Sequence, residues 1–321
     1  MARSALSAAT ERRRRGLRIG RAPGSPTRFD AREWLQVIRR TLKEFLADDA
    51  MGLAAQVAYS SLLAFFPAMI FLVGVLDLVD AFDDLRGFLD PVAPQAVTDL
   101  LSDISQTASG SPGSVFALLL GLAGATWAAS SAMSTVIKAV NTAYGTPETR
   151  PFWKVRLTAI VLVFVTSIVS VTMLLFVVFG GPLGEAIADA LLLGTVWDLV
   201  WTVLRWPIAF VAVLLFFALV YYLAPAESQR SWRWVSPGSI VGGVGWLALS
   251  ALFALYTSFA GSYNETYGSI AGGIVLLLWL NYSAFALLFG AELNAELDRQ
   301  ADIRAAGGPN AGLVKPSRRL R

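Results

Sequence analysis

The stretch LAAQVAYSSLLAFFPAMIFLVGVL, residues 53–76, contains no charged residue. A helix needs about 20 consecutive apolar residues to cross the hydrocarbon core of a bilayer. Inside lipid the backbone must satisfy its own hydrogen bonds, and a helix does so within one segment. Residues 53–76 are therefore predicted to form a transmembrane helix.

Five further runs of this kind follow along the chain. They cover residues 114–140, 157–179, 205–223, 235–259 and 268–290. Only 15% of all residues are charged, whereas a soluble domain usually has about 25%. The sequence therefore predicts an all-α, polytopic membrane protein with six transmembrane helices. Apolar residues within 183–204 predict one more helix, either a surface helix or a re-entrant hairpin on the outer side.

The remaining segments complete a four-part organisation. Residues 1–28 are rich in Arg, Ser, Gly and Pro, which predicts a disordered basic tail. Within 29–50 the apolar residues recur at helical spacing, which predicts an amphipathic helix on the cytoplasmic membrane surface. A partner helix could use the same apolar stripe. The stripe consists of Trp34, Leu35, Ile38, Leu42, Phe45 and Leu46. The six-helix domain is predicted to cover 51–298, and a second disordered cytoplasmic tail 299–321.

The basic residues sort to one side of this topology. Twelve precede the first predicted span, four lie from Lys138 to Arg156, two are Arg230 and Arg233, and six follow Gly290. The opposite side has only Arg86 and Arg205 among its basic residues. Because Lys and Arg accumulate in cytoplasmic loops, both termini are predicted to be cytoplasmic.

Two residue types are missing from the sequence. There is no Cys and no His, so disulfides, thiolate nucleophiles, Ser–His catalysis and the usual zinc sites have no ligands or bases. We expect that the chain is not an enzyme and has no catalytic residues, no metal site and no cofactor. No RNA-binding module is recognisable, so no nucleic-acid partner is expected.

Polar residues near the cytoplasmic ends of three predicted spans form the candidate site. They are predicted to line a polar network or a cytoplasm-facing cavity: Gln56, Tyr59, Lys138, Asn141, Asn281, Glu292 and Asn294. Lys138 and Glu292 lie at matching depth, so an ion pair between them is one hypothesis. The alternative is that each side chain extends separately into cytoplasmic water.

Three motifs resemble the YihY/BrkB family of bacterial membrane proteins. They are AAQVAYSSLLAFFPAMIFL from residue 54, Arg150-Pro151-Phe152, and YGSIAGGIVLLLWLNYSAFALLFGAELNAEL from residue 267. The resemblance implies a six-span protein of the inner membrane. The positions it singles out are Tyr59, Pro67, Arg150, Tyr267, Gly268, Trp279, Gly290, Glu292 and Asn294.

The resemblance also bears on function. The family includes a serum-resistance virulence factor, its members have been linked to transport and to lipid movement in the envelope, and an older ribonuclease label is regarded as mistaken. The leading hypothesis is a transporter or a lipid-handling permease in contact with the bilayer, in which Lys138 and Arg150 suit anionic phospholipids. A scaffold that binds envelope proteins through its outer loops is the alternative, and a ribonuclease is a distant third. The sequence leaves a homo-oligomer open.

Overall fold

The computed structural model describes residues 29–78, 115–177, 195–226, 236–259 and 269–305. Within these ranges the protein is all-α, as predicted, and forms seven helices. They are α1 (Ala31–Ala47), α2 (Ala50–Leu78), α3 (Val115–Ala143), α4 (Phe152–Val177), α5 (Thr195–Leu223), α6 (Pro237–Phe259) and α7 (Ser269–Ala305).

Five of these helices are long and apolar enough to cross a membrane. Their apolar segments are Ala50–Ala68, Phe152–Ser170, Trp206–Leu223, Pro237–Tyr256 and Gly272–Ala301. They match the first, third, fourth, fifth and sixth predicted spans. The second predicted span corresponds to α3, which has 29 residues and is not among the five.

Helices α2 to α7 close into a ring. Each packs against the next helix along the chain, α7 returns to α2, and α7 also contacts α3. Among the residues whose burial is described, the core lies near one end of the bundle, where α2 and α4 begin and α3 and α5 end. We call this the polar end because the buried polar residues described below lie there. Alanines such as Ala54, Ala139 and Ala291 are at most 1% exposed in the core, and small side chains let neighbouring helices approach closely.

Helix α1 has a defined start and two different apolar faces. Asp30 and Glu33 form a reciprocal capping box at its N-terminus, which satisfies two backbone N–H groups. One face, with Val37, Thr41 and Phe45, is buried. A second stripe remains 47–66% exposed in the described structure and consists of Leu35, Ile38, Leu42 and Leu46.

The buried face of α1 packs along α7 in the antiparallel direction. The Phe45 ring centroid is 4.7 Å from that of Phe285, while Val37 packs with Leu293 and Leu297. The single apolar stripe of the sequence analysis is therefore divided: Phe45 packs against the protein, whereas the leucines stay exposed. An orientation of α1 flat on the membrane stays a prediction.

Two boundaries differ from the sequence analysis. Helix α7 continues beyond residue 298 to Ala305, although a disordered tail was predicted from 299, because Arg299 and Gln300 bond to α1. Helix α5 begins at Thr195 and runs through Pro207 without interruption, so residues 195–204 are not a separate helix. Trp197 and Trp201 stack with ring centroids 5.6 Å apart on this first part of α5. The predicted tail 1–28, and residues 183–194 of the outer helix, lie outside the described residues.

Candidate functional site

Helices α5, α6 and α7 meet at the polar end through two glycines. A Cβ added at Gly290 would lie 2.5 Å from the carbonyl oxygen of Gly238 and would also strike the hydroxyl of Tyr221. The Tyr221 hydroxyl donates a hydrogen bond to the carbonyl oxygen of Leu287 at 2.8 Å. Gly290, one of the positions implied by the family resemblance, is therefore required by close contact between backbones.

Asn294 caps α6 from the neighbouring helix. Its Oδ1 accepts a hydrogen bond from the backbone N–H of Gly238 at 2.9 Å, and its Nδ2 donates to Ser236 Oγ at 2.9 Å. Pro237 occupies the first turn of α6, where the missing N–H of proline costs nothing. Asn294 is thus a structural capping residue with both ends of its amide occupied, which limits its role in a cavity.

The loop between α3 and α4 is held by an Asn–Glu–Arg cluster. Arg150 forms a bidentate salt bridge with Glu148, with Nε–Oε1 at 2.9 Å and Nη2–Oε2 at 2.7 Å. Arg150 also donates to the carbonyl oxygens of Leu223 and Ala224 at the end of α5. Asn141 donates to Glu148 Oε2 and accepts from the backbone N–H of Ala226. The cluster ties the loop to both α3 and α5.

Substitution of Arg150 tests this cluster. The hydrogen bonds from Arg150 hold the pKa of Glu148 below its usual range. A carboxyl with a lowered pKa in the folded state stabilises above its unfolded pKa, near 4.5, and loses this contribution as pH falls through the folded value. We expect Arg150→Gln to lower the free energy of unfolding by about 1–2 kcal/mol at pH 7 and by less at pH 4. Thermal unfolding in detergent measures both; an equal loss at the two pH values would contradict the assignment.

Two carboxylates in the last third of α7 are buried. Glu292 and Glu296 are each 1% exposed. Glu296 pairs with Arg40 of α1 at 3.4 Å and with Arg299 at 3.2 Å.

The charges around Glu296 extend to α1. Arg299 also pairs with Glu44 at 3.4 Å, and Arg40 donates a hydrogen bond to Gln300. Burial lowers the pKa of Arg40, and Glu296 partly offsets that effect. The α1–α7 contact is therefore an ionic network on top of an apolar interface.

The predicted network residues divide into an exposed and a buried set. Gln56, Tyr59 and Lys138 are exposed, and Tyr59 is 60% exposed. Asn141, Glu292 and Asn294 are buried, and Asn281 is half-buried. The structure brings Asn141 together with Arg150, and Asn294 with Gly238. A shared cavity stays a prediction. Among the described residues, no ion pair joins Lys138 to Glu292.

The remaining positions implied by the family resemblance either lie within helices or fall outside the described residues. Pro67 lies inside α2, which is continuous around it. Trp279 donates to Ser250 Oγ at 3.2 Å, and its ring contacts Trp246 edge-on. Tyr267 and Gly268 lie outside the described residues.

Sequence pattern alone did not single out Arg40, Tyr221 and Glu296 as site residues. For Glu296 the signal was present, since it follows Glu292 by four residues and shares its face. Tyr221 could not be found from pattern alone, because its partner, Leu287, is 66 residues away. Among the residues that the structure describes, no three His, Cys, Asp or Glu side chains form a group that could hold a metal.

Comparison with known proteins assigns the family. The family model described as virulence factor BrkB matches residues 41–313. The chain belongs to this family. It is 31% identical to the ribonuclease-like protein YfkH of Bacillus subtilis over 84% of this chain and 98% of that protein. No solved structure matches.

More distant relatives are named membrane proteins. A UPF0761 membrane protein of Stenotrophomonas maltophilia is 27% identical over 79% of this chain and 58% of its own length. One of Halorhodospira halophila is 26% identical over 88% of this chain and 61% of its own length. The chain thus spans about three fifths of these two relatives. Together with the five apolar helices, these similarities identify a multi-pass membrane protein.

Proposed function

We propose that this BrkB-family chain is a transporter that handles phospholipids in the bacterial inner membrane. The observation that carries the proposal is the burial of Glu292. It is 1% exposed in α7, a helix that contacts α1, α2, α3 and α6 and contains the apolar segment Gly272–Ala301. An ionisable group inside a membrane bundle is costly, and such groups commonly mark a pathway for a substrate or an ion.

Neighbouring features support a polar pathway at this end of the bundle. Glu296 lies one turn beyond Glu292 and is equally buried, and Ser130 and Asn141 of α3 are also buried. In a bundle made largely of apolar helices, these groups make the interior polar at this end, as a path for a lipid head group requires. The proposed path begins at the polar end.

The proposed topology has six spans with both termini in the cytoplasm. Helix α3 is the sixth span, since a helix of 29 residues is about 43 Å long at 1.5 Å per residue. The distribution of Lys and Arg supports this orientation. The polar end is then the cytoplasmic end, because Lys138, Arg150 and Lys154 all lie there.

The proposal includes the absence of enzymatic activity. The sequence has no His and no Cys, which leaves a nuclease without the ligands and bases of most zinc-dependent hydrolysis. A ribonuclease would cleave RNA in a metal-dependent way after contaminants are removed. We expect no cleavage above that of a mock purification.

The alternative function is a scaffold that binds envelope proteins through its outer loops. A scaffold and a transporter depend on different parts of the chain. A scaffold fails in cells when residues 82–109, outside the described structure, are replaced by a short linker, yet it tolerates Glu292→Gln. A transporter shows the reverse pattern.

Phospholipid redistribution in liposomes tests the proposed function. Liposomes with the purified protein receive phospholipids that carry a fluorophore on the head group, and a membrane-impermeant reductant then bleaches the outer leaflet. We expect the wild-type protein to bleach well over half of the fluorescence, against about half in empty liposomes. Bleaching equal to that of empty liposomes, with correctly inserted protein and with both phosphatidylglycerol and phosphatidylethanolamine, would overturn the proposal.

A further inference from the structure

Arg156 is a charged residue inside an apolar membrane segment. It lies four residues after the start of the segment Phe152–Ser170, on α4. Its guanidinium carbon is 3.9 Å from the ring centroid of Trp127 on α3. Nη1 donates to Ser131 Oγ at 3.0 Å, and Nη2 donates to the carbonyl oxygen of Trp127 at 3.1 Å. The guanidinium is thus fixed across the outer groove between α3 and α4.

The described residues supply no carboxylate to Arg156. Three other arginines at this end have such partners: Arg150 pairs with Glu148, and Arg40 and Arg299 pair with Glu296. Within the described ranges, no ion pair includes Arg156 or Lys138. A charge near the membrane interior is unfavourable without a partner, so a counter-ion from outside the chain would stabilise Arg156.

The groups around Arg156 form one exposed stripe on α3. Trp127 is 63% exposed, and Ser131 and Lys138 are exposed. Spacings of four and seven residues return to one side of a helix. Lys138 lies about 10 Å further along α3 than Ser131, towards the polar end. The Ser131 hydroxyl donates to the carbonyl oxygen of Trp127 at 2.7 Å and so positions the Arg156 guanidinium. The outside of the bundle therefore presents Lys138 of α3 near Arg156 of α4.

We propose that Arg156 and Lys138 bind the head group of an anionic phospholipid. Arginine offers five N–H donors in a planar fork that suits phosphate oxygens. In Arg156 the hydrogen bonds from Nη1 and Nη2 already hold the guanidinium plane in place. Trp127 supports that plane by a cation–π contact, and Lys138 adds a mobile positive charge on the side of the polar end. Exposed apolar side chains further along α4, Phe164 at 63% and Ile168 at 65%, suit the acyl chains.

This site differs from the one that charge alone indicated. The sequence analysis assigned Arg150 to anionic lipids, but the structure commits Arg150 to Glu148 and to the end of α5. Arg156 takes that role. The inference deepens the proposed lipid handling and rests on it for the choice of a lipid as ligand. Binding can nevertheless be measured without any transport.

Lipid retention tests the site. Wild-type protein and variants are exchanged from detergent into equimolar dioleoylphosphatidylglycerol and dioleoylphosphatidylcholine, and bound lipids are counted by native mass spectrometry. Arg156→Gln and Lys138→Gln are compared with Lys154→Gln, which removes a cation two residues away on another side of α4. We expect Arg156→Gln to weaken phosphatidylglycerol retention about tenfold, Lys138→Gln to weaken it less, and Lys154→Gln to leave it unchanged.

One further variant and one competition experiment complete the test. Arg156→Lys keeps the charge but loses the planar fork, so intermediate retention is expected even if Arg156→Gln folds poorly. Excess inorganic phosphate should not displace the lipid, whereas displacement would indicate a site for free phosphate and overturn the assignment to a lipid. Wild-type retention in both Arg156 variants, or an equal loss in Lys154→Gln, would also overturn it. If these variants behave as expected while liposomes show no lipid movement, the site stands and the transport proposal fails.

Discussion

Gly290→Ala should destabilise the bundle strongly, whereas Gly273→Ala on the same helix should not. The Cβ of an alanine at residue 290 would lie 2.5 Å from a backbone oxygen of α6 and would meet the Tyr221 hydroxyl. A backbone oxygen cannot rotate away as a side chain can, so α6 and α7 must separate. We expect Gly290→Ala to lower the free energy of unfolding by about 3 kcal/mol, the upper end for overpacked cores. Gly290→Leu should lower it further.

The control follows from the same helix. A Cβ at Gly273 meets nothing within 4 Å in the described structure, so Gly273→Ala should be neutral or stabilise by up to about 1 kcal/mol through helix propensity. Thermal unfolding in detergent, followed by circular dichroism, compares the two variants. Equal midpoints for Gly290→Ala and Gly273→Ala would show that α6 and α7 are not in close contact at residue 290.

Removing both arginine partners of Glu296 should destabilise the protein to a similar extent. Arg40→Gln combined with Arg299→Gln leaves a carboxylate that is 1% exposed without its cationic partners. Breaking a buried pair costs about 3–5 kcal/mol. The two arginine side chains are 25% and 27% exposed, and solvent weakens ion pairs that it reaches. We therefore expect the double variant to lose about 3 kcal/mol of unfolding free energy, the lower end of that range.

A compensating variant separates charge from packing. Adding Glu296→Gln to the double variant removes the stranded carboxylate and should restore most of the lost stability. Arg32→Gln and Arg39→Gln, which change exposed basic residues of α1, serve as controls and should have little effect. Failure of Glu296→Gln to restore stability would mean that the arginine side chains act through packing rather than through charge.

The helices could be predicted from the sequence because membrane spans are encoded locally. The five apolar segments follow directly from hydropathy, and the amphipathic pattern located α1. The extension of α7 was missed because residues 299–305 look polar in isolation. They are helical because Arg299 and Gln300 bond to α1, residues about 260 positions earlier.

The candidate site was only partly predictable, since pairing depends on tertiary contacts. Gly290 and Asn294 were singled out by resemblance, but their roles in the contact with α6 required the structure. Lys138 and Arg150 looked alike as cytoplasmic cations. The loop neutralises Arg150 with Glu148, two residues away, whereas Lys138 stays exposed. No sequence pattern could show that Arg156 stacks on Trp127, because the two residues lie on different helices.

The central claim, that the buried end of α7 takes part in phospholipid movement, is tested most directly by Glu292→Gln in the liposome assay. The substitution keeps size and removes charge. Glu33→Gln makes the same change on the outer part of α1, where glutamine still supports the capping box. We expect the initial rate of lipid redistribution to fall at least about tenfold for Glu292→Gln, the equivalent of about 1.4 kcal/mol, and to match the wild type for Glu33→Gln. A wild-type rate for a correctly folded Glu292→Gln protein would contradict the account.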